Sequence, residues 1–575
     1  MLSCVSVRGS TGVSVNLGPP SYEVVSSFPK DDSKACKCMQ FSPDGGYFAW
    51  ANGKTVNIVD TKDWTLVAEI KSPRVRCLQF SPKGTYLMTW ETFLAPKEGA
   101  EGVPNLNFYK SANGELVHSL EHKKQIGWEP QWTTDELLFS RNSKNDIIFY
   151  SPENMKTVVN RVANQRVHEY SISPGPPPYH ILCYIPGAHG QPSLGKLFQY
   201  PKFDSTVACK SFFQADRVDM MWNMKGNGVL LLTTLEVDKT GTSYYGKHTL
   251  HFISIKGETA IVQLSKEGPI HNVAWSPQST EFCVVYGTMP AKATLFNTKC
   301  EPLFDFGTAP RNSIYYNPHG NILLLGGFGN LAGGVEIWDV TAKKLICKMS
   351  ASDTTLLSWS PDGQHFMTAT TAPRLRMCNG FKMWHYTGTL LYERPWNKQE
   401  ELWEVLWQNF PEKVFKVPQI SYKPVEGIAS SQPQASKQVY RPPRARGTES
   451  NFKRQDLEEP KSLETANNPS KAAMKQKKKR EAKKAAKAAA ATVENQDDDV
   501  EDSSLKQSNG LRAYLEEFTT MDPAKMKKLG RLRSKLLEIE RLKEQQKSGR
   551  HLEINQLEKI KKEDQLLKEM KELTL

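Results

Sequence analysis

The stretch Phe41, Ser42, Pro43, Asp44, Gly45, Gly46, Tyr47 decides the fold, because it recurs. Phe80, Ser81, Pro82, Lys83, Gly84, Thr85, Tyr86 repeats it 39 residues later, and Trp359, Ser360, Pro361, Asp362, Gly363, Gln364, His365 repeats it far downstream. Each copy joins an aromatic strand end to a Ser-Pro-x-Gly turn, with Asp at x in two of these three, and a further apolar strand. Such a unit cannot bury its own hydrophobic face and has to stack on neighbours. Degenerate copies follow at Trp132, Ile172, Trp222, Trp275, Tyr316 and Trp407, so that nine copies run along the chain at spacings of 39 to 53 residues.

A second pattern fills the intervals. Thr55 to Val59 alternates apolar and polar residues, Asp60 to Asp63 turns, and Trp64 to Ile70 alternates again. Asn52 and Gly53 before it form a two-residue hairpin signal. Related runs occupy Leu106 to Tyr109, Leu250 to Ile255 and Val335 to Asp339. One unit is thus four antiparallel strands, a β-propeller blade. Nine units over the first 415 residues average about 46 residues each, a blade's length, whereas seven would need about 59. The expected fold is all-β: a nine-bladed propeller of WD40-like blades over residues 1–417, with residues 2–25 closing the last blade and removing an exposed edge.

Beyond Val417 the composition changes. Residues 418–470 are rich in Pro, Ser, Gln and Glu and read as a flexible linker. Residues 471–491 are nearly all Lys and Ala, a helix former without an apolar stripe. An acidic linker spans 492–510. In 511–575, Asp522 and Pro523 give a helix start, and Leu529, Leu532, Leu536 and Ile539 follow at three- and four-residue spacing. Ser548 and Gly549 interrupt before Leu557, Ile560 and Leu567 resume, which suggests a helical hairpin or partner-binding helices. A leucine stripe of this kind is the core of a small helical unit or a contact with a partner helix.

The 575 residues carry a net charge of +13, unevenly spread. Residues 416–575 hold 35 Lys and Arg against 25 Asp and Glu, and the first 415 hold 40 against 37. The basic character belongs to the tail. Lys471, Lys475, Lys477, Lys478, Lys479, Arg480, Lys483, Lys484 and Lys487 face only Glu481 in their tract. That density binds phosphate backbones by counterion release, without reading sequence. The tract otherwise reads as a nuclear localisation patch around Lys477 to Arg480, or as a solvated tail.

Catalytic and cofactor readings find little support. A phosphate loop ending in Gly53, Lys54, Thr55 would need its first glycine where Phe48 stands. Gly326 to Gly334 is glycine-rich but lies between strands of an antiparallel unit, where a dinucleotide loop cannot form. No serine sits in a nucleophile elbow and no histidines have zincin spacing. The 10 cysteines are scattered. Cys36 and Cys38 share a strand face, but no second ligand pair stands near them, and buried free thiols in a reducing, cytoplasmic setting are expected. No run of about 18 apolar residues suggests a membrane helix, and the first 30 residues show no charged-then-apolar leader. The chain is expected to be no enzyme and to take no cofactor or metal.

Longer stretches carry a resemblance. Gly241 to Gly246, Glu281 to Gly287, Met289 to Ala293, Phe304 to Gly307, Ala372 to Arg376 and Trp384 to Gly388 resemble, in order and spacing, the single-chain eukaryotic translation initiation factor 2A family. The resemblance covers most of residues 1–415 and returns in the Lys/Ala tract and at Asn555 to Ile560. It implies a nine-bladed propeller that binds the small ribosomal subunit and supports codon-dependent, GTP-independent delivery of initiator methionyl-tRNA. The chain is also similar to the propeller subunit of initiation factor three. Expected partners are the small subunit, initiator tRNA, mRNA, and other initiation factors through the C-terminal helices, with no membrane. The alternative is a WD40 scaffold that recruits proteins in translation or stress-regulated complexes; a propeller alone does not choose between them.

Overall fold

A computed structural model describes residues 3–95, 102–143, 146–163, 165–188, 191–213, 215–235 and 246–431, together with Ile539, Lys543 and Glu563. The chain divides into two compact units, Met1–Tyr440 and Arg441–Leu575.

The first unit is a nine-bladed β-propeller. Eight sheets have four antiparallel strands in consecutive order, and the ninth has three. The nine residues that open the repeated motif, Phe41, Phe80, Trp132, Ile172, Trp222, Trp275, Tyr316, Trp359 and Trp407, each end the first strand of a blade. First strands of successive blades lie side by side, as Ile270–Trp275 does beside Ser313–Tyr316 and Leu356–Trp359 beside Leu402–Trp407. They therefore surround the axis. Every blade is traversed in the same sense, so the turns after first and third strands emerge on one face, here the lower. The turns after second strands and the passages between blades emerge on the other, the upper.

Alternation in each strand sends one set of side chains into the space between blades. Phe41, Phe48, Trp50 and Val59 bury themselves with Val13, Val15 and Phe28 in one such layer. The aromatics add directional bonds. Trp275 donates its indole N–H to Met221 O (2.8 Å), Trp359 to Tyr315 O (3.1 Å) and Trp407 to Ser358 O (3.3 Å), each reaching into the preceding blade.

The Ser-Pro-Asp-Gly turns act as joints. Ser42 Oγ donates to Asp44 Oδ1 (2.5 Å), and the same oxygen accepts the Gly46 N–H (3.1 Å). Asn317 Nδ2 donates to Gly363 O (3.1 Å) in the next turn, and Gln408 Nε2 donates to Gly45 O (3.1 Å), linking the last blade to the first. Gly45 has φ +72°, and a Cβ there would overlap the Asn409 carbonyl oxygen. Only glycine meets both demands.

The ninth sheet draws on both ends of the unit. Leu402–Trp407 pairs with Cys4–Gly9, which pairs with Gly12–Leu17. In place of a fourth strand, isolated bridges join Val13 to Asp31 and Asn16 to Val24.

The flexible linker read over 418–470 needs correcting at its start. Asn321 Nδ2 donates to Pro418 O (3.2 Å), the Ser421 N–H to Tyr386 Oη (2.8 Å), and Tyr422 Oη to Asp339 Oδ2 (2.8 Å). The Ile428 N–H donates to Leu390 O (2.8 Å) on the outer strand of blade 8, and the Ser431 N–H to Glu393 Oε2 (2.7 Å). Ile420 packs on the core between blades 7 and 8. The polar composition of 418–431 conceals a few aromatic, apolar and hydroxyl anchors that match this edge, so the segment is a strap along blade 8.

Candidate nucleic-acid interface

The nine cations from Lys471 to Lys487 lie outside the described residues, as do Leu529, Leu532, Leu536, Leu557, Ile560 and Leu567. Of the predicted helix stripe, Ile539 is described: it is helical and buried. Lys543 and Glu563, also helical, form an ion pair across the interval that contains Ser548 and Gly549.

Within the propeller, the fold gathers cations that the sequence scatters. Lys37 directly precedes the first strand of blade 1, Lys54 sits in its upper hairpin, and Lys71 ends its last strand. Arg74 lies in the passage to blade 2 and Arg76 on that blade's first strand. Lys34 lies in the approach to Lys37. All six side chains are exposed on the upper rim. Hydrogen bonds fix their backbone: Lys37 N–H to Ala51 O (2.9 Å), Ser72 N–H to Lys54 O (3.3 Å), and the pairing of Thr55 with Lys71. Asn52 Oδ1 accepts the N–H groups of Lys54 (3.0 Å) and Thr55 (2.8 Å), holding the hairpin that presents Lys54.

Two nearby carboxylates, Asp31 and Glu91, are held in hydrogen bonds, and Glu91 also neutralises Arg74. Asp31 Oδ2 accepts from Trp50 Nε1 (2.8 Å) and Asn52 Nδ2 (2.9 Å), and its Oδ1 accepts from the Ser33 N–H (2.9 Å). Glu91 is buried, takes Ser72 Oγ (2.5 Å) and pairs with Arg74 (3.1 Å). Lys34, Lys37, Lys54, Lys71 and Arg76 form no ion pair among the described residues. Five of the six rim cations are therefore without an ion-pair partner among the described residues, Arg74 being paired with Glu91, and the rim continues on blade 2 to Lys123, which lies over the Phe93 ring at 5.4 Å and pairs with Glu121 (3.5 Å), and to exposed Lys124. The opposite face carries turn carboxylates such as Asp44 and Asp362, the latter bonded to His365 Nδ1 (2.7 Å).

Beneath the rim lie Cys36 and Cys38. Burial pushes the Cys36 thiol up to about 12 and raises Cys38 further. Both are thiols, not thiolates, at neutral pH, and so weak nucleophiles. Among the described residues no group of three His, Cys, Asp or Glu is placed to hold a metal ion. Net charge by segment hides the rim, because acids elsewhere in the propeller cancel it. Assigning each lysine to an upper or lower connection of its predicted blade would reveal it.

Comparisons with known proteins bear on what such a propeller belongs to. A family model described as eukaryotic translation initiation factor eIF2A matches residues 210–405. The eukaryotic translation initiation factor 2A of Caenorhabditis elegans is 33% identical over 584 residues, covering 99% of each chain. The chain belongs to the eukaryotic translation initiation factor 2A family. The Drosophila melanogaster member is 44% identical over 437 residues, covering 74% of this chain and 68% of the relative. The solved crystal structure of a eukaryotic initiation factor superposes with a TM-score of 0.66 at 32% identity, covering 72% of this chain and 100% of that one. Membership makes the chain a translation initiation factor, and the family's propeller is the part that the solved structure shares.

Proposed function

We propose that this initiation factor binds the small ribosomal subunit in the cytoplasm and supports codon-dependent, GTP-independent delivery of initiator methionyl-tRNA. The observation that supports this reading is the cation rim of blade 1, where Lys34, Lys37, Lys54, Lys71 and Arg76 have no ion-pair partner among the described residues, a surface suited to phosphate backbones. In this reading the rim and the Lys471 to Lys487 tract both hold RNA, the second unit carries a helical hairpin for other initiation factors, and residues 432–470 link the two. Among the described residues no helix is long and apolar enough to cross a membrane.

Salt-dependent co-sedimentation with small ribosomal subunits tests the proposal. Replacing Lys37, Lys54 and Lys71 by Gln is expected to weaken binding and to flatten its salt dependence by roughly one unit of log–log slope per lost phosphate contact. Neutralising the nine tail cations is expected to act in the same direction. Retention of initiator tRNA is expected to persist with GTP withheld. A scaffold reading draws on a different observation: Ile126, Phe213 and Met377 are 91%, 72% and 78% exposed on upper-face connections. Binding that ignores the cations yet falls when these three become Ser would favour protein recruitment.

A further inference from the structure

The ninth blade and blade 8 do not close fully against each other at the upper rim. A cavity of about 560 Å³ opens there, with Val7 and Val13 of the ninth blade among its apolar lining and Lys30, Arg394, Trp396 and Glu400 around it. Its volume is that of a small-ligand pocket. The Arg394 guanidinium lies 4.8 Å from the centre of the Trp396 ring. It is held there by Nη1 donating to Asn16 Oδ1 (3.0 Å) and is partly exposed. The Trp396 indole nitrogen is buried and makes no hydrogen bond among the described residues. Lys30 has a carboxylate partner, Asp32, at 2.7 Å, but both side chains are largely exposed, so the pair costs little to exchange.

We propose that this cleft receives one nucleotide of a single-stranded RNA whose backbone follows the cation rim of blade 1. The inference rests on the RNA-binding reading above and adds a specific seat to it. Single-stranded RNA is held by stacking splayed bases on aromatic rings or on guanidinium planes. Here a guanidinium already sits over an indole ring, and both side chains are partly exposed, so a base that packs on either would add to an existing cation–π contact. Lys30 at the mouth meets the phosphate. Glu400, the one carboxylate of the lining, would repel a phosphate but accepts a hydrogen bond from a base amino group or a ribose hydroxyl, which sets the direction of the nucleotide. Continuity selects RNA over an acidic peptide: Lys30 begins the segment that passes through Asp31 to Lys34 and Lys37, so cleft and rim are joined by seven residues of chain on one face.

The test uses the full-length chain and a fluorescein-labelled 12-residue oligouridylate containing one 4-thiouridine. Anisotropy titrations compare the wild type with Arg394→Gln, Trp396→Leu and the rim triple Lys37→Gln, Lys54→Gln, Lys71→Gln. Each cleft substitution is expected to weaken binding about 5- to 150-fold, the range of one lost stacking contact. Photocrosslinked wild-type protein is expected to yield a peptide containing residues 394–397. If the rim triple weakens binding while both cleft variants bind as the wild type and no crosslink maps to 394–397, the cleft proposal is overturned and the RNA reading stands. If the wild type does not bind the oligomer at all, both fall. Should Trp396→Leu lower the melting temperature, Arg394→Gln and the wild-type crosslink carry the decision.

Discussion

At the scale of single residues, Gly45 shows how a turn becomes a joint between distant parts of the chain. Its positive φ and the neighbouring Asn409 carbonyl both exclude a side chain. Gly45→Ala is expected to destabilise the propeller by about 1–3 kcal/mol, read as a lower denaturant midpoint with unchanged slope. His251 makes a different contribution. It is buried against Phe212, rings stacked at 5.7 Å, and neither ring nitrogen has a partner among the described residues. Burial, helped by Lys210, lowers its pKa to about 4. The unfolded chain takes up this proton near pH 6.5 and the folded chain only near pH 4, so stability rises with pH across that window. Between pH 6.5 and 4 the loss is on the order of 1–3 kcal/mol for this one group. His251→Phe should flatten the melting-temperature profile in that window. An equally steep profile in the variant would assign the acid sensitivity to other groups, His385 first, since burial holds it near 4 as well.

Among elements, the repeated strand end carries more than hydrophobic area. Trp359 buries its ring in the layer between blades 7 and 8 and bonds Tyr315 across the seam. Trp359→Phe keeps most of the ring and is expected to cost about 1 kcal/mol for the lost bond, while Trp359→Ala should cost about 3–5 kcal/mol. Urea titrations of the two variants separate the terms. Blade register was legible from residue order, because an aromatic, a four-residue turn and alternating strands leave a periodic trace. The strap was not. Its anchors Ile420, Tyr422 and Ile428 are spaced by no secondary-structure period, and their partners lie far back in the chain: Tyr422 bonds Asp339, Ile428 bonds Leu390, and Ile420 packs on a core drawn from Ile322 to Leu390. A chain ending at residue 431 should melt a few degrees above one ending at 417; identical melts would mean that the strap only rests on blade 8.

For the molecule as a whole, closure couples residue 5 to residue 407. Deleting residues 1–25 removes two strands of the ninth blade and leaves Leu402–Trp407 as an unpaired edge. The truncated propeller is expected to melt well below the intact one and to aggregate on heating, as light scattering during the melt would show. An unchanged melt would remove ring closure from the account of stability.

What the sequence determined alone was whatever is local or periodic. Repeated turns and alternation specify blades and their number, and the charge runs mark the tail, because these signals are written in neighbouring residues. Tertiary structure alone decided how far-apart residues meet. The rim collects six cations that no run announces, since Lys34, Lys37, Lys54, Lys71, Arg74 and Arg76 share an edge only after four strands have turned back on one another. The cleft places Lys30 with Arg394 because a ring brings its two ends together. Surface chemistry of this kind depends on which connections emerge on which face, and that geometry has no period in the chain.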